Sequence, residues 1–403
     1  MLARMSLDRS SRVRVSACLA QGKALFHRVY RVLGALARHP AAREALVNNC
    51  LKELSYAHRL RRSLGRPQIF QIETTNCCQY TCIMCPRTHA MTRRLGHMDL
   101  GLFRAIIDQL RPGWQMNSVR GQPEINLFHF GEPTLYKHFF ESIAHCHTRG
   151  LSVRISTNPS AWNERRTREA LDVGLDTILF RVDGMDDSTS MAIRGAAASY
   201  VRGEANIREF VRQKVERGAA RTRVEIAMVK QPRNAHQWEI FKTHWQGMEG
   251  IDLVFLDDYS CFGGDVPEVN RVGAQAAAGN AVQAARAERW RQASQLPCYY
   301  PWHSVSVTWD GRVVPCCKDY DAQTVLGDLT KETLQAIWNG APLQRLRDEF
   351  KRGKLTMMPC QTCNERSLEI VLPGRFYPPA LVTQKLAMRA ASRQKTGKSA
   401  PQA

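Results

Sequence analysis

With 403 residues and 44% hydrophobic content, the chain can bury one large domain plus appendages and has an ordinary soluble composition. Its formal net charge of +20 would suit a nucleic-acid binder, but residues 1–66 carry 14 Lys/Arg against 3 Asp/Glu and residues 372–403 carry 6 basic residues and no acid. Only +3 is left on residues 67–371, too little for a long phosphate-tracking groove; no apolar run approaches the roughly 20 residues of a membrane span and no apolar leader opens the chain, so a cytoplasmic protein that does not bind nucleic acid is expected.

In chain order, Val15, Cys18, Leu19, Phe26, Val29, Leu33 and Leu36 recur at helical spacing within residues 13–38, Pro40 reads as a break, and Leu46, Val47, Cys50, Leu51 and Leu54 continue a second helix. Residues 1–66 therefore read as a basic helical extension packed on the body, with an acidic partner or a membrane surface as its functional alternative. From residue 67, β-rich runs at 68–74, 124–130, 152–157, 176–183, 222–229 and 251–257 alternate with helix-like stretches. That alternation predicts an α/β fold, a partial (β/α)6 TIM-like barrel over residues 67–265, with chemistry at the C-terminal ends of its strands. Residues 266–371 read as a linker and a small domain, opening with the hairpin SVSVTWDGRVVPCC around Asp310-Gly311 and followed by a helix at 330–340. Residues 372–403 read as a disordered basic tail.

Thirteen cysteines in a reducing compartment are free for metals, and ten of them fall mainly into two groups. Directly after the first strand, TTNCCQYTCIMCPR sets Cys78, Cys82 and Cys85 in the spacing C-x3-C-x2-C. Three thiolates on one loop can hold three irons of a cubane and leave the fourth open, whereas a structural zinc site wants four ligands. Cys77 reads as a neighbour of this triad. The second strand runs into FHFGEPTL, where Gly131 lets the backbone approach a ligand and Glu132 can accept hydrogen bonds. The third ends in Ser156, Thr157 and Asn158, equally suited to capping a turn or to touching a cofactor. Past the fourth stand Asp183 and Arg194 in VDGMDDSTSMAIRG.

On this triad and its context the chain resembles the radical S-adenosylmethionine superfamily. The resemblance implies a 4Fe-4S cluster on Cys78, Cys82 and Cys85 whose open iron is chelated by S-adenosylmethionine, with cleavage to a 5′-deoxyadenosyl radical that removes hydrogen from substrate. It also implies Met84 beside the adenine, Gly131 and Glu132 at the α-ammonium group, Ser156, Thr157 and Asn158 at the ribose and methionine groups, and Asp183 and Arg194 near the carboxylate. Phe130 stands where the family has the first glycine of its Gly-Gly-Glu-Pro motif.

The second group is Cys298, Cys316, Cys360 and Cys363, with four residues between Gly311 and Cys316. It resembles the SPASM/Twitch extension of the superfamily in its shorter, single-cluster form, implying an auxiliary 4Fe-4S cluster with all four irons ligated. Cys317 competes with Cys316 for one place, and the glycine spacing favours Cys316; a four-cysteine zinc site is the alternative. The expected reaction is oxidation at an unactivated C–H bond of a sugar, cyclitol or peptide, with the auxiliary cluster accepting an electron and Asp257, Asp258, Tyr259 and Cys261, past the sixth strand, supplying a base. Epimerisation with Cys261 as hydrogen donor, and a metal-stabilised binding module, are the alternatives. An electron donor such as flavodoxin or ferredoxin is an implied partner; no motif identifies the substrate.

Overall fold

The computed structural model describes residues 40–117, 123–277 and 297–363, so the expectations for residues 13–38 and 372–403 lie outside the described residues. Helix α1 (Pro40–Ala57) is the second helical pattern and includes at its start the proline read as the break before it, a residue tolerated there because the first helical N–H has no intrahelical partner.

Six parallel strands follow: β1 (Ile69–Ile72), β3 (Pro123–Asn126), β4 (Ser152–Thr157), β5 (Thr177–Arg181), β6 (Arg223–Val229) and β7 (Leu253–Asp257). A two-residue β2 (Met116–Asn117) pairs antiparallel with β3. Between them lie α2 (Pro86–His89), α3 (Leu100–Asp108), α4 (Phe139–Thr148), α5 (Glu164–Asp172), α6 (Asp187–Arg194), α7 (Tyr200–Glu216) and α8 (Trp238–Gln246), then α9 (Pro267–Ala277). Side-chain caps start several of them: Asp99, Asn163, Asp186 and Ser199 each accept from a backbone N–H of the first turn. The fold is the expected α/β arrangement, a mostly parallel, TIM-like partial barrel.

Strand alternation sorts the side chains. Ile125, Val153, Ile155, Ile178, Phe180, Val224, Ile226 and Val254 pack outward on Phe103, Ile107, Phe210, Phe241 and Trp245 of the helices, each burial contributing about 1.5–3 kcal/mol. The inward parity carries Gln71, Asn126, Arg154, Ser156, Arg181, Glu225 and Asp257 beside a small apolar set of Leu179, Ala227, Leu253 and Phe255. The barrel lumen is therefore largely polar, unlike the packed interior of a closed eight-stranded barrel.

Two expectations change. The second strand stops at Asn126, not at residue 130, because the chain bends there so that Gly131 (φ 155°) passes over the loop after β1; a Cβ at Gly131 would lie 2.2 Å from the Thr75 carbonyl oxygen. And the C-terminal hairpin joins the barrel: β8 (Val305–Val307) pairs parallel with β1, while β9 (Arg312–Val314) pairs antiparallel with β8 and β10 (Gly327–Asp328) antiparallel with β9, giving the order β10-β9-β8-β1-β3-β4-β5-β6-β7. Helices α10 (Tyr300–His303), α11 (Leu334–Trp338) and α12 (Ala341–Arg352) complete this part, with α11 shorter than the expected 330–340.

Candidate active site

Residues 77–85 form a loop gripped from two sides. Glu132 N donates to the Cys77 carbonyl at 2.8 Å, while Thr81 N and Ile83 N donate to the carbonyls of Arg194 and Ile193 at 3.1 and 2.9 Å. Gly195, at φ 90°, admits Thr81 against its Cα. The loop borders a cavity of about 480 Å³, lined by Cys78, Cys82, Cys85, Met84, Glu132, Asn158 and Arg194 among others. Cys77 is not among the lining residues; its sulfur lies 3.9 Å from the Gly96 carbonyl.

Burial pushes the Cys78 thiol up to about 11 and that of Cys82 to about 12, and raises Cys85; the three thiolates also repel one another. Backbone N–H groups of Arg87 and Thr88 face Cys85, and Arg194 Nη1 stands 3.9 Å from Cys82 Sγ. Such a crowded set of soft donors fits a cationic iron cluster, which would stabilise the thiolate forms that burial opposes. Among the described residues no three Cys, His, Asp or Glu side chains converge on one mononuclear metal position; a cubane spreads its ligands over several irons.

Glu132 is buried and accepts from Thr134 N (3.2 Å), Thr134 Oγ1 (2.8 Å), Thr157 Oγ1 (2.6 Å), Asn158 N (2.8 Å) and Asn158 Nδ2 (2.6 Å). Burial raises its proton affinity and these donors oppose that rise. Thr157 and Asn158 thus hold Glu132 in place, and Gln79 Nε2 in turn holds Asn158 Oδ1 at 3.0 Å. Ser156 lines the cavity and accepts from Arg181 Nε at 3.3 Å. Arg194 is buried, not a surface residue: its Nη2 is 2.6 Å from Asp183 Oδ2, and Asp183 Oδ1 accepts from Val229 N at 2.7 Å. Arg194 Nε is buried without a hydrogen bond, a donor suited to an incoming anionic oxygen. Met84 packs with Phe130, Tyr259 and Phe262 on an apolar shelf of the same cavity.

At the end of β7, Asp257 Oδ2 accepts from Arg181 Nη1 at 2.7 Å, and just past it Asp258 pairs with Lys230 at 2.6 Å. Tyr259 OH donates to the Val269 carbonyl at 3.0 Å. All three line the cavity. Cys261 does not: its sulfur is directed to Gly273 of α9, where an added Cβ would lie 2.8 Å away. Sequence reasoning missed Arg181, Arg154, Arg87, Glu124 and Lys318, which also line the cavity; a charged residue on the inward parity of an otherwise apolar strand, such as Arg181 in TILFR, was the available signal.

The second cysteine group assembles from Cys298 before α10, Cys316 after β9, and Cys360 and Cys363 after α12. Burial raises Cys316 strongly, and Cys317, Cys360, Cys298 and Cys363 all lie within Coulombic reach of it. Cys317 lines the cavity, with its sulfur 3.3 Å from Tyr300 OH and its carbonyl 3.2 Å from His129 Nε2.

A family model described as the radical SAM superfamily matches residues 72–227, and one described as an iron-sulfur cluster-binding domain, SPASM, matches residues 298–364. The chain is 24% identical over 262 residues to a tungsten-containing aldehyde ferredoxin oxidoreductase cofactor-modifying protein of Pyrococcus furiosus, covering 61% of this chain and 69% of that protein. It is 22% identical over 305 residues to the S-adenosyl-L-methionine-dependent 2-deoxy-scyllo-inosamine dehydrogenase of Niallia circulans, covering 75% and 94%. Among solved structures, Streptococcus suis SuiB bound to precursor peptide SuiA is similar in fold, with TM-score 0.53 and 13% identity over 78% of this chain and 72% of that one.

Proposed function

We propose that this chain, a radical SAM superfamily enzyme with a SPASM iron-sulfur domain at its C-terminal end, oxidises a carbinol C–H bond of a small, hydroxyl-bearing substrate of the sugar or cyclitol class. The observation that carries the reading is the cavity: about 480 Å³ has to take the cofactor and the reacting part of the substrate together, and its lining includes the bonded set Arg181, Ser156 and Asp257. A fixed guanidinium–carboxylate pair offers a donor and an acceptor side by side, which complements vicinal hydroxyl groups. The similarity to a cyclitol dehydrogenase over 94% of its length supports the same choice.

Cys78, Cys82 and Cys85 would hold the first cluster, and Cys298, Cys316, Cys360 and Cys363 the second. When bound, the first cluster with S-adenosylmethionine supplies a hydrogen-abstracting 5′-deoxyadenosyl radical, and the second an acceptor for one electron. In this reading the Met84–Phe130 shelf carries the adenine, the buried charge of Glu132 faces the α-ammonium group and Arg194 the carboxylate. Asp183 fixes the direction of Arg194. Arg181, held by Ser156 and Asp257, steadies the substrate oxygen, and Asp257 Oδ1 takes the hydroxyl proton as the carbonyl forms.

The test is anaerobic incubation of reconstituted enzyme with S-adenosylmethionine, a reductant and a panel of cyclitols and sugars deuterated at the carbinol carbons. Deuterium in 5′-deoxyadenosine together with a ketone product is expected for at least one of them. Deuterium transfer only from labelled peptides would overturn the substrate class, and bound zinc without 5′-deoxyadenosine would overturn the reaction.

A further inference from the structure

We propose that a basic face beside the auxiliary cysteines is the docking surface for an acidic protein that carries single electrons. The inference rests on the reading of those cysteines as an iron-sulfur site. It starts from α12, which buries Leu343, Leu346 and Phe350 on one side. On its other side Arg345, Lys351 and Arg352 are exposed around Asp348, at the three- and four-residue spacings that make helix neighbours. Left-handed Gly353 ends the helix and exposed Lys354 follows.

The loop after α1 meets this side. Arg61 Nε is 3.1 Å from Asp348 Oδ2, and Arg347 Nη1 donates to the Arg61 carbonyl at 3.3 Å. Arg59 and Arg62, flanking Arg61, are exposed. These two segments thus carry seven exposed cationic side chains against two carboxylates, Asp348 and Glu349, and Glu349 is buried and held by Arg345 and Thr356. No Asp or Glu occurs in residues 54–72 or 350–363. Cations near a helix C-terminus are favourable, but among the described residues only Arg61 and Arg345 of these seven have a carboxylate partner.

The face also borders the cysteines. Glu349 accepts from Thr356 N at 2.8 Å and Met357 N at 3.3 Å, which fixes the start of the segment carrying Cys360 and Cys363 against the charged end of α12. Cys316 and Cys360 are buried while Cys298 and Cys363 are partly exposed, and Cys363 lies on the segment that Glu349 ties to the basic helix end. Exposed Leu54 and Leu64 add apolar surface on the same stretch of chain, as a protein interface requires. Among the described residues of these two segments no Phe, Tyr or Trp is exposed to stack a base.

The test is stopped-flow reduction of the anaerobic holoenzyme by reduced flavodoxin, a small acidic flavoprotein, comparing the parent with K351E/R352E/K354E. At about 50 mM ionic strength the variant's second-order rate should fall by about tenfold or more, and the difference should shrink at about 0.5 M, where charges are screened within about 4 Å. Reduction by the methyl viologen radical cation should not slow. Equal flavodoxin rates, or slowing with both reductants, would overturn the proposal, as would binding of a single-stranded oligonucleotide that is lost in a variant with unchanged flavodoxin rates. Iron and sulfide analysis keeps the two readings apart: four irons per chain in place of about eight would fail the auxiliary site itself, whereas eight irons with an unaffected rate would fail only the docking face.

Discussion

Glu73 and Arg93 form a buried ion pair that ties together distant parts of the fold. Glu73 follows β1 and leads into the cysteine loop; its two carboxylate oxygens accept from Arg93 Nη1 and Nη2 at 2.8 Å each, and the side chains are 0% and 2% exposed. Arg93 Nε donates to the Tyr320 carbonyl at 2.8 Å and Trp309 N donates to Glu73 Oε2 at 3.3 Å, so the pair joins the approach to the first cysteine group to the segments around the second. Burial works against the Arg93 charge and Glu73 outweighs it. Arg93→Met leaves a carboxylate in low dielectric and Glu73→Met leaves a guanidinium there, each costing about 3–5 kcal/mol against a total stability of about 5–15 kcal/mol. The double variant strands neither charge and should be more stable than either single. Urea unfolding followed by far-UV circular dichroism, compared by midpoints because a chain of 403 residues need not unfold in one step, measures all four proteins. If the single losses add to within about 0.5 kcal/mol in the double, the pair is not acting as a buried unit and the reasoning fails.

Three further outcomes follow from the site. Cys316→Ala should lose about half of the roughly eight irons while Cys317→Ala keeps them; equal loss in both would make Cys317 a ligand. Glu132→Gln should weaken S-adenosylmethionine binding about 10- to 100-fold by anaerobic calorimetry, the range for a hydrogen bond to a charged group, and unchanged affinity would separate Glu132 from the cofactor. Burial pushes Glu124 up to about 7 from 4.5, so between those values the folded state keeps a proton that the unfolded state has released, and stability falls as pH rises through that window by up to about 3 kcal/mol. Glu124→Gln should flatten that slope and stabilise the protein at pH 8; an unchanged profile in thermal unfolding would refute the assignment.

Strands were legible because their apolar alternation is a local property, and β4 matches its expected span residue for residue. Boundaries set by tertiary contact were not: β3 ends early where Gly131 crosses the Thr75–Asn76 backbone, a contact between segments more than fifty residues apart. The cysteine spacing located both thiol groups, yet it could not say which way a loop side chain faces. Cys261 and Cys317 illustrate this. The first was expected beside the substrate and packs on α9, while the second was expected as a spare ligand and lines the cavity. Thr157 and Asn158, expected at the cofactor, line the cavity and also hold Glu132, because a carboxylate buried so deeply needs every nearby donor.

Sheet order gives the auxiliary segment a second task. The six barrel strands, even with β8 added beside β1, leave the sheet open, so the lumen needs a further wall between β7 and the β8–β10 side. The chain after β9 supplies one. Lys318 Nζ donates to Ser260 Oγ at 2.8 Å and Tyr320 OH to Asp265 at 3.2 Å, both beyond β7, while the Cys317 carbonyl accepts from His129 on the β3 side. The residues next to Cys316 therefore border the cavity that the first thiol group also borders. Removing the auxiliary cysteines would alter the shape and water access of the cavity as well as any electron acceptor. Loss of product in such a variant thus speaks for electron transfer only when the cavity wall is known to be intact, and variants at Lys318 or Tyr320, which leave every cysteine in place, separate the two causes.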